Sequence, residues 1–277
     1  MRGVAFTFDG LRIQGASRAG DQSWFRVDPP GLALDVGRGA EPLVGTPWIF
    51  VTHGHLDHSL GLPWVLTQRK LQGLGAATVF CPEQIAEDLT ELVRTAGRLD
   101  GAELDAEVVG LLPGDRRELA KGLLLEVFAT QHTASTLGCH LIGRQKKLKP
   151  ELAGAPSAEI ASLRRAGKEI ALERETLWLS YCGDTGPEIF ASEPRIFEAE
   201  ILLIECTFMG AETRDHGRRF GHLHLEDFVE NAERFTNRAI VLTHLSRRHR
   251  LAELEHAVSR DLPDLAERIR YIVGDRT

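Results

Sequence analysis

Short apolar or alternating runs, separated by turn-forming residues, predict strands along the first half of the chain. These runs are Val4–Phe8, Leu11–Gln14, Trp24–Val27, Leu32–Val36, Trp48–Val51, Ala77–Phe80, Val108–Leu112, Arg116–Leu119 and Leu123–Ala129. Apolar residues at helical spacing predict helices over 61–71 and 82–96. In the second half, strands alternate with helices. The strands are Thr176–Tyr181, Ile201–Ile204, Ala239–Leu242 and Ile269–Val273, and the helices are 225–235 and Leu251–Val258. The simplest architecture is two mixed sheets flanked by helices, in a single α/β domain over residues 1–277.

The regular pattern is interrupted after Gly143. The segment Arg144–Lys149 holds four basic residues in six, and 149–168 is rich in alanine, with a predicted helix at Ala158–Ala166. We therefore expect a short excursion from the sheet core at about 144–170.

The bulk composition excludes some classes of protein. The net charge is 33 − 40 = −7, so the whole molecule has no basic field to attract nucleic acid. No apolar run approaches the ~20 residues that span a bilayer, and residues 1–10 do not resemble a signal peptide. The four cysteines form no CxxC pair. Because free buried thiols are typical of a reducing compartment, we expect a cytoplasmic protein.

The most informative segment follows the strand that ends at Val51. It reads Thr-His-Gly-His-Leu-Asp-His over residues 52–58. A lone histidine after a strand is usually a surface or hydrogen-bonded residue. Three histidines and an aspartate packed together without a metal, however, would be polar groups with nothing to compensate the cost of their burial. Imidazole and carboxylate together favour zinc, manganese or iron over calcium or magnesium.

Other strands also end in residues that can bind a metal. Chemistry alone assigns the histidines to two centres, with one carboxylate between them. The first centre takes His53, His55 and His132, the second takes Asp57, His58 and His244, and Asp184 is the bridge. Because a bound metal lowers the pKa of water towards ~7, a hydroxide between two metals is a nucleophile at neutral pH.

The ordered motifs HGHLDH, His132, SYCGDT, IECTF, GHLH and VLTHLS resemble the metallo-β-lactamase superfamily, and within it the ribonuclease Z (tRNase Z) family. KLKPELAG, residues 147–154, is similar to the compact short form of that family. The resemblance implies an αββα sandwich and two Zn²⁺ ions, with Mn²⁺ or Fe²⁺ as alternatives. It also implies removal of the 3′ trailer of precursor tRNA and a homodimer. The resemblance further implies that Asp57 is the general base. It implies that Glu205 orients His222 and that His222 protonates the leaving 3′ oxygen.

The chain departs from the family in features that concern the substrate. Cys139 stands where an aromatic residue is usual, and the long tRNA-binding arm is absent. A local basic rim is still expected to bind phosphate, although a solvated charged face is the plainer interpretation. Its proposed members are Arg144, Lys146, Lys147, Lys149, Arg247 and Arg248.

Two other functions stay open on the sequence. One is hydrolysis of a small phosphodiester or ester on the same fold. The other is a catalytically silent binding protein, which the complete ligand set argues against. His224 is expected to cap a helix, and His140 to be a strand residue and not a ligand.

Overall fold

The computed structural model describes residues 3–8 and 10–273, which form two sheets of seven strands each. The first sheet contains β1 (Val4–Phe8), β2 (Leu11–Arg18), β3 (Gln22–Asp28), β4 (Leu32–Val36), β5 (Trp48–Phe50), β6 (Ala77–Pro82) and β7 (Ala106–Leu111). The second contains β8 (Arg116–Ala120), β9 (Leu123–Ala129), β10 (Leu137–Leu148), β11 (Ala171–Tyr181), β12 (Ile201–Glu205), β13 (Ala239–Thr243) and β14 (Ile269–Tyr271).

The two sheets have the same topology. In each, the strands lie in sequence order. The first four pair antiparallel, from β1 to β4 and from β8 to β11. The last three are added in parallel, as β5 to β7 and β12 to β14. This correspondence is invisible as a repeat in the sequence.

The sheets pack face to face and bury apolar residues on both sides. In β12, Ile201 and Leu203 belong to the core between the sheets, whereas Leu202 and Ile204 pack against helices. Alternation with period two between two buried faces explains why the central parallel strands read as unbroken apolar runs. The result is the αββα sandwich that the sequence resemblance implies.

Most of the helices cover the outer faces of the two sheets, whereas α4 (Ser157–Arg165) lies apart from them. They are α1 (Leu56–Ser59), α2 (Leu62–Leu71), α3 (Ala86–Asp100), α4 (Ser157–Arg165), α5 (Ile189–Ser192), α6 (Arg214–Arg219), α7 (Leu225–Glu230), α8 (Leu251–Asp261) and α9 (Pro263–Ala266). The helix predicted from Pro82 begins at Ala86, because Pro82 ends β6 and Glu83–Ile85 forms a 3-10 turn. Within the described ranges, no helix has the length and apolar character needed to cross a bilayer.

The predicted excursion is an arm that extends beyond the second sheet. Strands β10 and β11 continue as a hairpin, with Arg144 opposite Glu175 and Leu148 opposite Ala171. Residues 149–170 at its tip contain α4, and most of them are exposed. Residues 1–2, 9 and 274–277 lie outside the described residues, so a single domain over 1–277 stays a prediction.

Candidate active site

Five strand ends converge where the edges of the two sheets meet. Strand β5 leads into the 52–58 cluster, and β9, β11, β12 and β13 lead into His132, Asp184, Glu205 and His244. The backbone amide of Leu137, in the second sheet, donates to the carbonyl of Thr52 beside the first sheet, over 3.0 Å. The site is therefore built on two rigid sheets, with short loops that only carry the side chains.

The first predicted ligand set is brought together. Ligand atoms of His53, His55 and His132 lie within 4.8 Å of one another, and His132 Nε2 is 3.3 Å from His55 Nδ1. Burial, and next the charge of His58, lower the pKa of His53 well below its ordinary value. His53 is therefore a neutral imidazole, which is the form that binds a metal.

The second predicted set also converges. Ligand atoms of Asp57, His58 and His244 lie within 4.8 Å of one another, with His244 Nε2 3.5 Å from Asp57 Oδ2. Burial raises the pKa of Asp57, but the hydrogen bond with His244 and the charges of His58 and His244 outweigh it and hold that pKa far below the usual range. Asp57 is thus ionised, as a ligand carboxylate must be.

Asp184 lies between the two sets. Its Oδ2 atom is 3.9 Å from His53 Nε2 and 3.9 Å from His132 Nε2. The same oxygen is 3.4 Å from His58 Nε2 and 3.3 Å from His244 Nε2. One carboxylate oxygen surrounded by four imidazole nitrogens has the position that a bridging ligand requires.

These residues fit divalent metal ions. His53 Nε2 is buried and has no hydrogen-bond partner in the described part of the chain. Burying this nitrogen without a partner would cost free energy unless its lone pair binds a cation. The His53 ring is held from the other side, since Nδ1 lies 2.9 Å from Thr52 Oγ1. The set of five histidines and two aspartates is typical of zinc, manganese or iron sites.

Glu205 and His222 form a hydrogen-bonded pair beside this centre. His222 Nδ1 is 2.8 Å from Glu205 Oε1, and the His222 ring centroid is 4.8 Å from that of His132. Burial lowers the pKa of His222, but the charge and hydrogen bond of Glu205 outweigh it and raise that pKa to about 9. His222 is therefore a protonated imidazole at neutral pH, as a general acid must be.

Glu205 is itself fixed by several donors. It is fully buried, and it accepts from the backbone amides of Thr185 at 2.9 Å and Leu223 at 3.2 Å. The Thr207 hydroxyl also donates to Glu205, and lies 3.0 Å from His244 Nδ1. Thr207 thus connects the acid pair to a candidate metal ligand.

Sequence reasoning missed Asp35, which ends the apolar run of β4. Asp35 is fully buried and has a positive φ of 54°. Its carboxylate accepts from Thr52 N at 2.7 Å and from Tyr181 Oη at 2.6 Å, and lies 2.8 Å from His58 Nδ1. The signal was present, since Asp35 is one more acidic residue at a strand end.

Two backbone supports were also missed. The amide of Gly20 donates to Asp57 Oδ2 at 2.9 Å. The amide of His244 donates to Ser17 Oγ at 2.9 Å and so holds a residue with φ of 56°. Ser17 lies near the end of β2 and Gly20 in the turn that follows, and neither segment carries a motif that would indicate these contacts.

His224 is a capping residue, as predicted. Its Nδ1 accepts from the amide of Glu226 at 3.1 Å, and its own amide donates to Asp227 at 2.8 Å, so it begins α7. His140 lies within β10, buried, with Nδ1 2.8 Å from Ser180 Oγ. It belongs to none of the groups of convergent metal-binding side chains found in the described residues.

The predicted basic residues fall into two locations. Arg144 and Lys149 lie on the arm and face acids, with Arg144 3.2 Å from Glu175 and Lys149 3.6 Å from Glu169. The other four are exposed and form no ion pair within the described ranges. They are Lys146 and Lys147 on the arm, and Arg247 and Arg248 just after His244.

Comparisons with known proteins identify relatives of the chain. The sequence pattern of the Beta-lactamase superfamily domain matches residues 39–245. The protein tRNase Z TRZ1 of Arabidopsis thaliana is 31% identical over 268 residues, which cover 96% of each chain. Among solved structures, YhfI of Bacillus subtilis superposes with a TM-score of 0.66 at 12% identity, covering 96% of this chain and 97% of that one. Human short-form tRNase Z superposes with a TM-score of 0.60 at 19% identity, covering 85% and 93%.

Proposed function

The chain belongs to the beta-lactamase superfamily and, within it, to the ribonuclease Z family, and we propose that it removes the 3′ trailer of precursor tRNA. Membership makes it a metal-dependent hydrolase. The substrate, the identity of the metal and the role of each residue are our proposal. The observation that carries it is the His222–Glu205 pair, because an imidazolium beside the metal-binding cluster suits protonation of a leaving alkoxide.

We assign the metals as two Zn²⁺ ions, with Mn²⁺ or Fe²⁺ as alternatives. His53, His55 and His132 would hold one ion and Asp57, His58 and His244 the other, with Asp184 shared. Bound divalent ions would lower the pKa of a coordinated water and polarise the phosphodiester. The lone pair of His53 Nε2 and the ionised state of Asp57 support this assignment.

Two side chains of the protein would handle the protons and their orientation. Asp57 is fixed by the Gly20 amide and would orient the attacking water and accept its hydrogen bond. His222 Nδ1 faces Glu205, so Nε2 would carry the proton that the leaving 3′ oxygen takes up. General acid catalysis of this kind contributes roughly 10²–10⁴-fold to a rate.

The test is cleavage of a 5′-labelled precursor tRNA by zinc-loaded protein, alongside Asp57→Ala and His222→Ala. We expect one cut after the discriminator base, lost in both variants. His256→Ala is the matched control, because His256 is an exposed histidine on α8 and should leave the rate unchanged. Cleavage by His222→Ala at the wild-type rate would contradict the acid assignment.

The ion pairs of the arm favour a second candidate. Since Arg144 and Lys149 already face glutamates, the arm offers RNA fewer free charges than the sequence suggested. Hydrolysis of a small phosphodiester or ester would then be the function. Turnover of a chromogenic phosphodiester without any cleavage of precursor tRNA would establish this alternative.

We further propose a homodimer in the cytoplasm. Leu56, Leu60 and Trp64 follow one another at four-residue spacing beside the site and are 64%, 48% and 42% exposed, so they offer an apolar surface to a second copy. Leu60→Glu with Trp64→Glu should yield a monomer in sedimentation equilibrium, whereas Leu99→Glu should not.

The cysteines support the cytoplasm as the compartment. All four are free and buried, and free buried thiols are typical of a reducing compartment.

A further inference from the structure

Phe220 is a large apolar side chain that stays exposed close to the acid pair. It follows the last residue of α6 and precedes His222 by two positions, and 42% of its surface is exposed. Exposed aromatic rings beside a site that hydrolyses phosphodiesters are natural surfaces for a nucleobase to stack on.

The backbone holds Phe220 in a fixed position relative to the site. The amide of Gly221 donates to the carbonyl of Arg218 at 3.2 Å, and that of His222 donates to Gly217 at 2.9 Å. His132 Nδ1 lies 3.0 Å from the carbonyl oxygen of Gly221. A Cβ at Gly221, where φ is 67°, would lie 3.0 Å from His132 Cα. The loop that presents Phe220 is therefore packed directly on a candidate metal ligand.

Ring contacts continue from the acid to the surface. The centroid of His222 is 6.0 Å from that of Phe208, and Phe208 is 5.3 Å from His216. His216 in turn packs against Phe220 at 4.7 Å. The Phe220 ring is thus supported by a series of edge-to-face and tilted ring contacts that begins at His222.

Positive charge accompanies the exposed ring. The guanidinium carbon of Arg219 lies 5.6 Å from the Phe220 centroid, and Arg219 forms no ion pair among the residues that the structure describes. Its neighbours on α6 differ, since Arg214 contacts Glu226 at 2.7 Å and Arg218 lies 3.9 Å from Asp227. A free planar cation next to an aromatic ring suits the stacked base and phosphate of a single strand.

We propose that Phe220, supported by His216 and flanked by Arg219, stacks the unpaired base of the nucleotide immediately upstream of the cut. This inference rests on the proposed function. If His222 protonates the leaving 3′ oxygen, that oxygen belongs to the upstream nucleotide, whose base must then lie on the His222 side of the site. Phe220 is an exposed ring two positions from His222 in the described part of the chain.

The experiment uses zinc-loaded full-length protein and two 5′-labelled precursor tRNAs, one intact and one abasic at the upstream nucleotide. For the wild type we expect kcat/KM to fall about tenfold on the abasic RNA. Phe220→Ala should lose about the same factor on intact RNA and show no further loss on abasic RNA. Phe220→Tyr keeps a ring and should behave as the wild type. Leu71→Ala, which alters another exposed apolar residue, should keep the full dependence on the base.

The outcomes separate the two proposals. If Phe220→Ala lowers kcat/KM by the same factor on the intact and on the abasic RNA, the loss does not depend on the base. Phe220 then only shapes the loop. That result overturns the stacking platform and leaves the nuclease intact. If wild-type protein fails to cleave even the intact precursor, the proposed function fails and the platform fails with it.

Discussion

Asp35 shows how a buried charge is stabilised at the scale of one residue. The hydroxyls of Tyr181 and Thr52 and the backbone amide of Thr52 donate to its carboxylate. His58 Nδ1 lies 2.8 Å from Asp35 Oδ2. Because His58 lies between Asp35 and Asp184, their charges outweigh burial and raise its pKa well above the ordinary value. Asp35 holds the His58 ring through Nδ1 and leaves Nε2 facing the site.

We predict that Asp35→Asn lowers the affinity for zinc by about 10–100-fold, since partners of this kind orient the ligand histidine. The measurement is competition titration of metal-free protein with a zinc chelator. Asp261→Asn serves as the control, because Asp261 pairs with Arg260 on the surface. Equal affinities in the two variants would show that Asp35 does not orient His58.

The pH dependence of the reaction should report the Glu205–His222 pair. A general acid must be protonated, so the rate falls as the pH rises through the pKa of His222, which Glu205 raises to about 9. Removing the carboxylate charge in Glu205→Gln lowers that pKa. The alkaline limb of kcat should therefore move to lower pH, and bound metals would shift both enzymes in the same direction. An unmoved limb would mean that another group supplies the proton.

At the scale of elements, strand ends position the site residues, and the pairing of two strands positions the charged residues of the arm. Because β10 and β11 pair antiparallel beyond the sheet, acidic residues of one strand lie opposite basic residues of the other, as Glu173 does for Lys146. The sequence revealed the basic run but not its partners. Lys146 and Lys147 on β10 are among the arm cations that form no ion pair within the described residues.

We predict that Lys146→Ala with Lys147→Ala weakens the binding of precursor tRNA and lowers the slope of log K against log salt by roughly one per lysine. The measurement is filter binding over a salt series with a non-cleaving His222→Ala background. Arg94→Ala with Arg98→Ala is the matched control, because both arginines contact Glu91 on α3. An unchanged slope would remove the arm from the RNA-binding surface.

At the scale of the whole molecule, the candidate metal ligands come from both sheets. They lie in the loop after β5 in the first sheet and in loops of the second sheet. The rings of Phe25 and Tyr181 contact each other across the core between the sheets, with their centroids 5.3 Å apart. A metal that binds only the folded chain therefore stabilises the packing of one sheet on the other.

Removing the metal should lower the stability of the whole fold. Free metal at 100 times its Kd adds about 2.7 kcal/mol, which corresponds to a rise in Tm of roughly 5 °C for a chain of this size. We expect that loss when the loaded protein is dialysed against a chelator, measured by calorimetry. His53→Ala removes a ligand of only one ion and should show a smaller shift on chelation, whereas His256→Ala should keep the full shift. A wild-type Tm that is indifferent to chelator would contradict a metal shared by both sheets.

The sequence by itself determined most of the strands, the longer helices and the seven candidate ligands. Apolar periodicity is local, so β1, β4 and β9 match their predicted bounds. The HGHLDH cluster and the isolated histidines at strand ends carry metal chemistry in their residue types alone. The resemblance to the ribonuclease Z family added the αββα sandwich, and the fold and the relatives agree with it.

Only the tertiary structure decided which residues support that site. Asp35 and Tyr181 are 146 positions apart, and Ser17 meets His244 across 227 positions. Such pairs depend on how the two sheets pack, and no local pattern encodes that packing. The same holds for the ion pairs of the arm and for the exposed face of Phe220, because burial and pairing are properties of the folded chain.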